Sequence, residues 1–465
     1  MRKGKRILSA LLTAVMSVSI LASCGSGKKD NRVTIEPGDW VHTSESAESK
    51  QKWEDKIVAF EKKYPDIKVK GGNIYRFDTQ TFNAKAAAGQ LPTFLAVPYT
   101  EYGQMSKNGY TSDITKALKD NNILDKINPD ILEILTDDKG AICGMPDMTY
   151  VQGLLINKEI FKKAGLADEN GMPKVPNTWQ ELAEYAKIIK EKTGIAGFSI
   201  PTTNNCGGWI FLNIAWSYGV NFEEQQANGK WKAIFDTQEF RDALQFLYDL
   251  RWKYDVFPDN KVIDATEYQK VFYTKQAAMI ITGPDNASGI VTQGGLNKDD
   301  IFFAKMPKGP AGRYSQMGGA ARVFFSKNSE EQNDAAVKWL MEEGYTPFIT
   351  PEIEKNIRTN CENTIEKGGI VFPKELFSQW ESEDRKTKIE KIYGEYANVD
   401  IRNYENYMDF SDVIIRPEEA VLCQQLYSIL DNVIQEIMTK KDADIDALAK
   451  SAAENFQKNH LDKME

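Results

Sequence analysis

The chain has 465 residues, 42% of them hydrophobic and 27% charged, with a formal net charge of −9. This is the balance of a globular protein too long to organise around one hydrophobic core, so two lobes are expected. The acidic excess argues against nucleic acid as a partner.

The chain opens with Arg2, Lys3, Lys5 and Arg6, followed by an uncharged run from Ile7 to Ser23. Basic residues ahead of a short apolar run are the layout of a signal segment rather than of a transmembrane helix. Leu21, Ala22, Ser23 and Cys24 resemble a bacterial lipobox. That implies a signal peptide over 1–23, cleavage before Cys24, and a diacylglycerol on its sulfur with fatty acyl chains such as palmitate. The alternative is a secretory signal with an incidental cysteine. Each buried methylene contributes about 0.8 kcal/mol, so two or three acyl chains anchor a protein without a spanning helix. Residues 24–32 are mostly small, polar and basic, which suits a flexible tether on the outer face of the cell membrane.

Order is expected from Val33. Val33 to Ile35 reads as a strand, and Trp53, Ile57, Phe60 and Tyr64 recur at helical spacing until Pro65. Ile67 to Val69, Phe94 to Val97, Gly153 to Ile156 and Gly197 to Ile200 read as further strands. Thr178 and Glu181 have capping-box spacing ahead of Leu182, and Asp236 and Glu239 are placed similarly ahead of Phe240. Trp53, Trp179 and Trp339 lie at core spacing on helices; Trp216 and Trp252 are open. Leu422, Leu426, Ile429, Val433 and Ile437 make one apolar helix face near the end. Alternation of this kind predicts an α/β fold with helices covering largely parallel sheets.

Catalytic and metal signatures are missing. There is no H-E-x-x-H, G-x-S-x-G or Walker-type loop, and His42 and His460 are the only histidines. Asp442, Asp444 and Asp446 imitate the start of a calcium loop, but Ala447 and Ala453 stand where glycine and glutamate are required, so they read as the acidic start of a helix. Cys143, Cys206, Cys361 and Cys423 are widely spaced, either buried thiols or two disulfides whose pairing spacing does not name. No metal, cofactor or catalytic step is expected.

From Phe60 the chain reads FEKKYPDIKVK, then FNAKAAAGQLPTFLAV from Phe82 and GAICGMPDMTYVQGLLINKEIFKKAGL from Gly140. VPNTWQELAEYAKIIKEKTGIAGF, FYTKQAAMIITGP and KMPKGPAGRYSQMGGAARVFFSKNS follow. The order of these blocks resembles family 1 extracellular solute-binding proteins, the maltose-binding-protein-like lipoprotein receptors of carbohydrate ABC importers. Ile156 stands where that family usually has tyrosine.

The resemblance implies a type II, periplasmic-binding-protein-like fold: two lobes, three hinge crossings and a cleft between. We place the crossings near Met148, Lys275 and Lys327. One lobe would then comprise 33–148 with 276–326, the other 149–275 with 327–465. It also implies closure over a mono- or oligosaccharide by a monomer, which then meets a permease.

Sugars present C–H faces to aromatic rings and hydroxyls to carboxylates and amides. Loops at strand ends therefore nominate Trp40, His42, Tyr99, Thr100 and Glu101, and the first crossing adds Asp147 and Tyr150. Asn204 to Trp209 is glycine-rich, so Trp209 is either a cleft aromatic or a core residue beside a plain turn. Relatives carry tryptophan after the Gly-Pro turn, where this chain has Asp285; either Asp285 bonds hydroxyls with stacking moved to Trp380 or Trp209, or it caps a helix. The stretch Tyr345 to Pro417 either shapes the pocket or extends the second lobe. Two rivals remain: a binder of a non-sugar solute such as a peptide or organic ion, with unpaired fixed charge in its cleft, and an extracellular glycoside hydrolase with a close carboxylate pair.

Overall fold

The computed structural model describes residues 30–38, 46–71 and 77–464; Cys24, Trp40 and His42 lie outside them. In chain order the strands are β1 (Val33–Ile35), β2 (Ile67–Val69), β3 (Phe94–Pro98), β4 (Gly144–Val151), β5 (Gly153–Asn157), β6 (Glu223–Gln225), β7 (Trp231–Ala233), β8 (Met279–Thr282), β9 (Ile301–Ala304), β10 (Tyr314–Phe324) and β11 (Ile414–Arg416). No helix among the described residues is long and apolar enough to cross a membrane.

The first lobe grows from β1 to β3. Helix Ala47–Lys63 starts where the Ser46 hydroxyl accepts from the Ser49 amide at 3.1 Å. Its inner face carries Trp53 and Phe60, which meet Trp339 in stacked and edge-on contact with ring centroids 6.0 and 5.0 Å apart. Phe94, Leu95 and Val97 of β3 complete this core with Val323 and Phe324 of β10.

The second lobe is organised by β5, all of whose residues are buried, the run expected of a strand covered on both faces. Leu154 and Ile156 point into a core built on helices Trp179–Thr193, Cys206–Ser217, Gln238–Trp252, Cys423–Thr439 and Ile445–Asn459. Leu155 points the other way, toward Ile280, Phe303, Tyr404 and Tyr407. The capping box at Thr178 and Glu181 forms, and Gly194 ends that helix at φ 73°. Asp444 caps the final long helix by accepting from the Ala447 amide, in keeping with an acidic helix start.

Three sequence expectations are corrected. Sheets are mainly antiparallel: among the described residues only β1–β2 and β10–β11 are parallel ladders. Gly197 to Ile200 forms no strand: Gly197 sits directly on the Ala186 backbone, and the preceding residue Ala196 makes only an isolated bridge to Ala277. The cap before Phe240 is Thr237, one residue beyond Asp236.

Lobe boundaries differ as well. β8 and β9 flank β5, which places 279–304 in the second lobe and not the first. Helix Glu330–Glu342 packs in the first-lobe core and not the second. Lys275 pairs with Glu159 inside the second lobe, and Lys327 reaches Gly89 O inside the first, so neither marks a crossing. The backbone instead joins the two cores along β4 and β10, and beyond Tyr345 it contributes to both, with Trp380 in the first-lobe core and helix Cys423–Thr439 in the second. All four described cysteines are free thiols.

Candidate ligand-binding cleft

β4 and β10 run antiparallel from Gly144–Val323 to Val151–Met317 and carry the backbone from one lobe into the other. The ladder slips where Ala320 faces Met148 and Ala321 faces Pro146, leaving Asp147 as an extra residue. A bulge bends its strand and re-aims the extra side chain. The Asp147 carboxylate lies 3.4 Å from Arg322, whose guanidinium stacks over Tyr345 at 4.5 Å and donates to its hydroxyl. Burial pushes Asp147 up to about 6, against the opposing hydrogen bond from Tyr345.

Beyond the bulge, Met148 is 50% exposed, an apolar side chain left at the junction between the lobes. Tyr150 packs on two glycines. A β-carbon on Gly318 would lie 2.7 Å from its ring and hydroxyl, and one on Gly283 would lie 2.9 Å from its ring edge. Burial first, then the charges of Asp285 and Glu418, raise the Tyr150 hydroxyl far above the usual phenol range. Asp285 is exposed to solvent yet enclosed enough for burial to raise its carboxyl, as at the mouth of a cleft.

Asn204 and Asn205 adopt left-handed φ of 58° and 65° to enter helix Cys206–Ser217. Asp431 accepts from the Asn205 and Gly208 amides at 2.6 and 2.7 Å, holding the helix start. Gly208 has no room for a β-carbon against the Tyr427 backbone, so the Gly207-Gly208 run serves close helix packing. Trp209, half-buried one residue on, donates its indole N–H to Glu418 Oε1 at 2.6 Å, with the Gln316 amide beside both. Burial raises Glu418 to about 7; the Trp209 and Tyr427 donors oppose that and Glu101 adds to it. Its neighbour Glu419 accepts from Trp216 Nε1 at 2.9 Å and pairs with Arg416 at 3.4 Å.

From the first lobe, helix Tyr99–Lys107 begins directly after β3. Tyr99 is buried, its hydroxyl 2.8 Å from Thr149 Oγ1. Thr100 and Glu101 line a cavity of about 300 Å³ whose far wall is Leu422, Cys423 and Gln424 of the second lobe. The Cys423 thiol donates to Thr100 O at 3.3 Å, and Lys107 lies 4.3 Å over the Trp231 ring, so this helix touches the opposite lobe at both ends.

The structure thus gathers Tyr99, Thr100, Glu101, Asp147, Tyr150, Trp209 and Asp285 along the junction. Trp380 is withdrawn from a stacking role: it is 5% exposed in the first-lobe core, bridged to Ile127. Its neighbour Gln379 is the residue that reaches Thr149, at 3.4 Å. Sequence reasoning missed Gln379, Gln316 and Glu418, which lie in a buried strand or in loops with no periodic signal. No cluster of metal-holding side chains occurs among the described residues.

Two lobes joined through paired strands, with rings and hydrogen-bonding side chains facing the junction, make a solute-binding architecture. Residues 43–346 match the model for bacterial extracellular solute-binding proteins, and the chain belongs to that family. It is accordingly an extracytoplasmic binding protein and not an enzyme. The periplasmic-binding protein YcjN of Escherichia coli is 24% identical over 79% of this chain and 85% of its own length. The sn-glycerol-3-phosphate-binding protein UgpB of Salmonella paratyphi A is 30% identical over 63% of this chain and 69% of its own. A solute-binding protein of Thermotoga lettingae, bound with α-D-tagatose, superposes with a TM-score of 0.63 at 24% identity, covering 92% of this chain and 99% of that one.

Proposed function

We propose that the protein is the receptor of an ABC importer, tethered to the outer face of the membrane through Cys24, which captures a mono- or oligosaccharide as a monomer and delivers it to the permease by closing its lobes. The observation that carries this reading is the junction itself: the Tyr150 and Trp209 rings beside Asp285, Glu418 and Gln316, a set able to cover a sugar face and take its hydroxyls. The tagatose complex of a structural relative supports the same ligand class. A ligand touching both lobes favours the closed arrangement by its differential affinity, and the permease reads that arrangement.

Thermal-shift screening of the protein from residue 25 onward against carbohydrates tests the ligand class, since binding to the folded form raises stability by RT ln(1 + [L]/Kd). A shift with at least one saccharide is expected. The glycerol-phosphate specificity named for one relative favours a second reading, a non-sugar organic anion; a shift with sn-glycerol-3-phosphate and with no sugar would replace the first. Replacement of Cys24 by alanine is expected to release the protein from the membrane fraction.

A further inference from the structure

We propose that the cleft selects its saccharide by charge, with Asp285, Glu418 and Glu101 admitting neutral or amine-bearing sugars and rejecting those that carry a carboxylate or phosphate. This rests on the carbohydrate reading above and narrows it.

Three elements from the two lobes bring the carboxylates together. Asp285 follows β8, and a β-carbon on Gly283 would strike both its carboxylate and the Tyr150 ring, so the two side chains are neighbours. Glu418 is fixed by Trp209 and lies beside Gln316, two residues before the glycine on which Tyr150 rests. Glu101 is carried toward Glu418 by the helix whose Thr100 carbonyl receives the Cys423 thiol.

The cations packed around this junction are committed to protein groups. Arg322 serves Asp147 and Tyr345. Arg416 bonds Asn221 and Glu419 and lies 4.7 Å over the Trp216 ring. Lys107 covers Trp231. A further polar group faces Glu418: the Tyr427 hydroxyl, on a residue 1% exposed, lies beside that carboxylate.

A sugar hydroxyl entering this set donates to a carboxylate and is satisfied. A sugar carboxylate entering it loses its hydration, meets like charge and finds none of these cations unengaged. An ammonium group gains an ion pair. Rejection thus comes from a built repulsion, which discriminates among solutes of the same shape.

The test is isothermal titration calorimetry at pH 8 with neutral oligosaccharides of several linkages, each matched to its uronate and its 2-amino counterpart of equal length. Binding of a neutral or amino member, with the matching uronate weaker by about tenfold or more, is expected. A uronate that binds as tightly as its neutral match overturns the charge rule and leaves the carbohydrate reading standing. Absence of binding by every saccharide overturns both. The double variant Asp285→Asn, Glu418→Gln, shown folded by circular dichroism, should cut the discrimination by about tenfold; discrimination unchanged in that variant overturns the assignment to these residues.

Discussion

The Tyr150 ring rests on the backbone of Gly318: the two residues face each other in the β4–β10 ladder, and a β-carbon on the glycine would stand 2.7 Å from the ring and hydroxyl. The bare backbone at Gly318 is therefore what lets an aromatic side chain lie flat across the hinge. Gly318→Ala should tilt that ring at little cost to the fold, because the ring borders the cleft. We expect saccharide affinity to fall by about tenfold or more while Tm moves by no more than about 2 °C, checked by calorimetry.

Glu223 makes stability depend on pH. Its carboxyl accepts from the Val421 amide at 2.8 Å, while its other oxygen is buried with no partner. Burial, then the charge of Glu419, raise it to about 8 from 4.5, with Lys107 opposing. Between those values the folded protein holds a proton that the unfolded chain has released, so the destabilisation is absent below the lower value. It grows as pH rises through the window and is complete above the upper one. Glu223→Gln should therefore raise stability at pH 8.5 by on the order of 1 kcal/mol after solvent screening, with the gain vanishing by pH 4.5, measured by urea unfolding across pH.

Trp209 combines a ring face with a donor to a buried carboxylate. Trp209→Phe keeps the face and removes the donor, leaving Glu418 short of a hydrogen bond at a cost of about 1–2 kcal/mol. Trp209→Ala removes both. We expect the two variants to lose comparable stability at this hydrogen bond, but only the alanine variant to lose most of its saccharide affinity. Unfolding and titration on the same samples separate these effects.

Asp431 fixes the position of Trp209 from behind by accepting from the Asn205 and Gly208 amides. Asp431→Ala leaves both amides without their acceptor at the start of helix Cys206–Ser217. A loss of about 2–3 kcal/mol is expected, with faster hydrogen exchange over 204–209 as the local readout.

The elements most legible in the sequence were those specified locally. The Trp53 to Tyr64 spacing, the Thr178 capping box and the apolar face from Leu426 to Ile437 each arise from neighbours within a few residues, and each stands in the structure. Strand partnership was not legible. β8 and β9 flank β5 through pairings more than a hundred residues apart, and nothing within those short apolar runs states which sheet they join. The cleft divides in the same way. Asp147 and Tyr150 were nominated from the crossing and Tyr99 to Glu101 from the end of a strand, and the structure places them along the junction. Glu418 lies in a Pro-Glu-Glu loop without periodicity, and its role depends on an indole brought from residue 209. Trp380 misled because a tryptophan in an unpatterned stretch carries no sign of which side of the fold it will face.

The single unpaired position at Asp147 sets more than one carboxylate. Because a bulge curves the strand that contains it, the angle at which the two halves of the molecule confront each other is tied to a count of residues in the connecting ribbon. Deleting that one residue would leave the flanking pairings intact and flatten the ribbon. The resting gape of the receptor could thus be reset by insertion or deletion at this place alone, with Tyr150, Trp209 and Glu418 all retained.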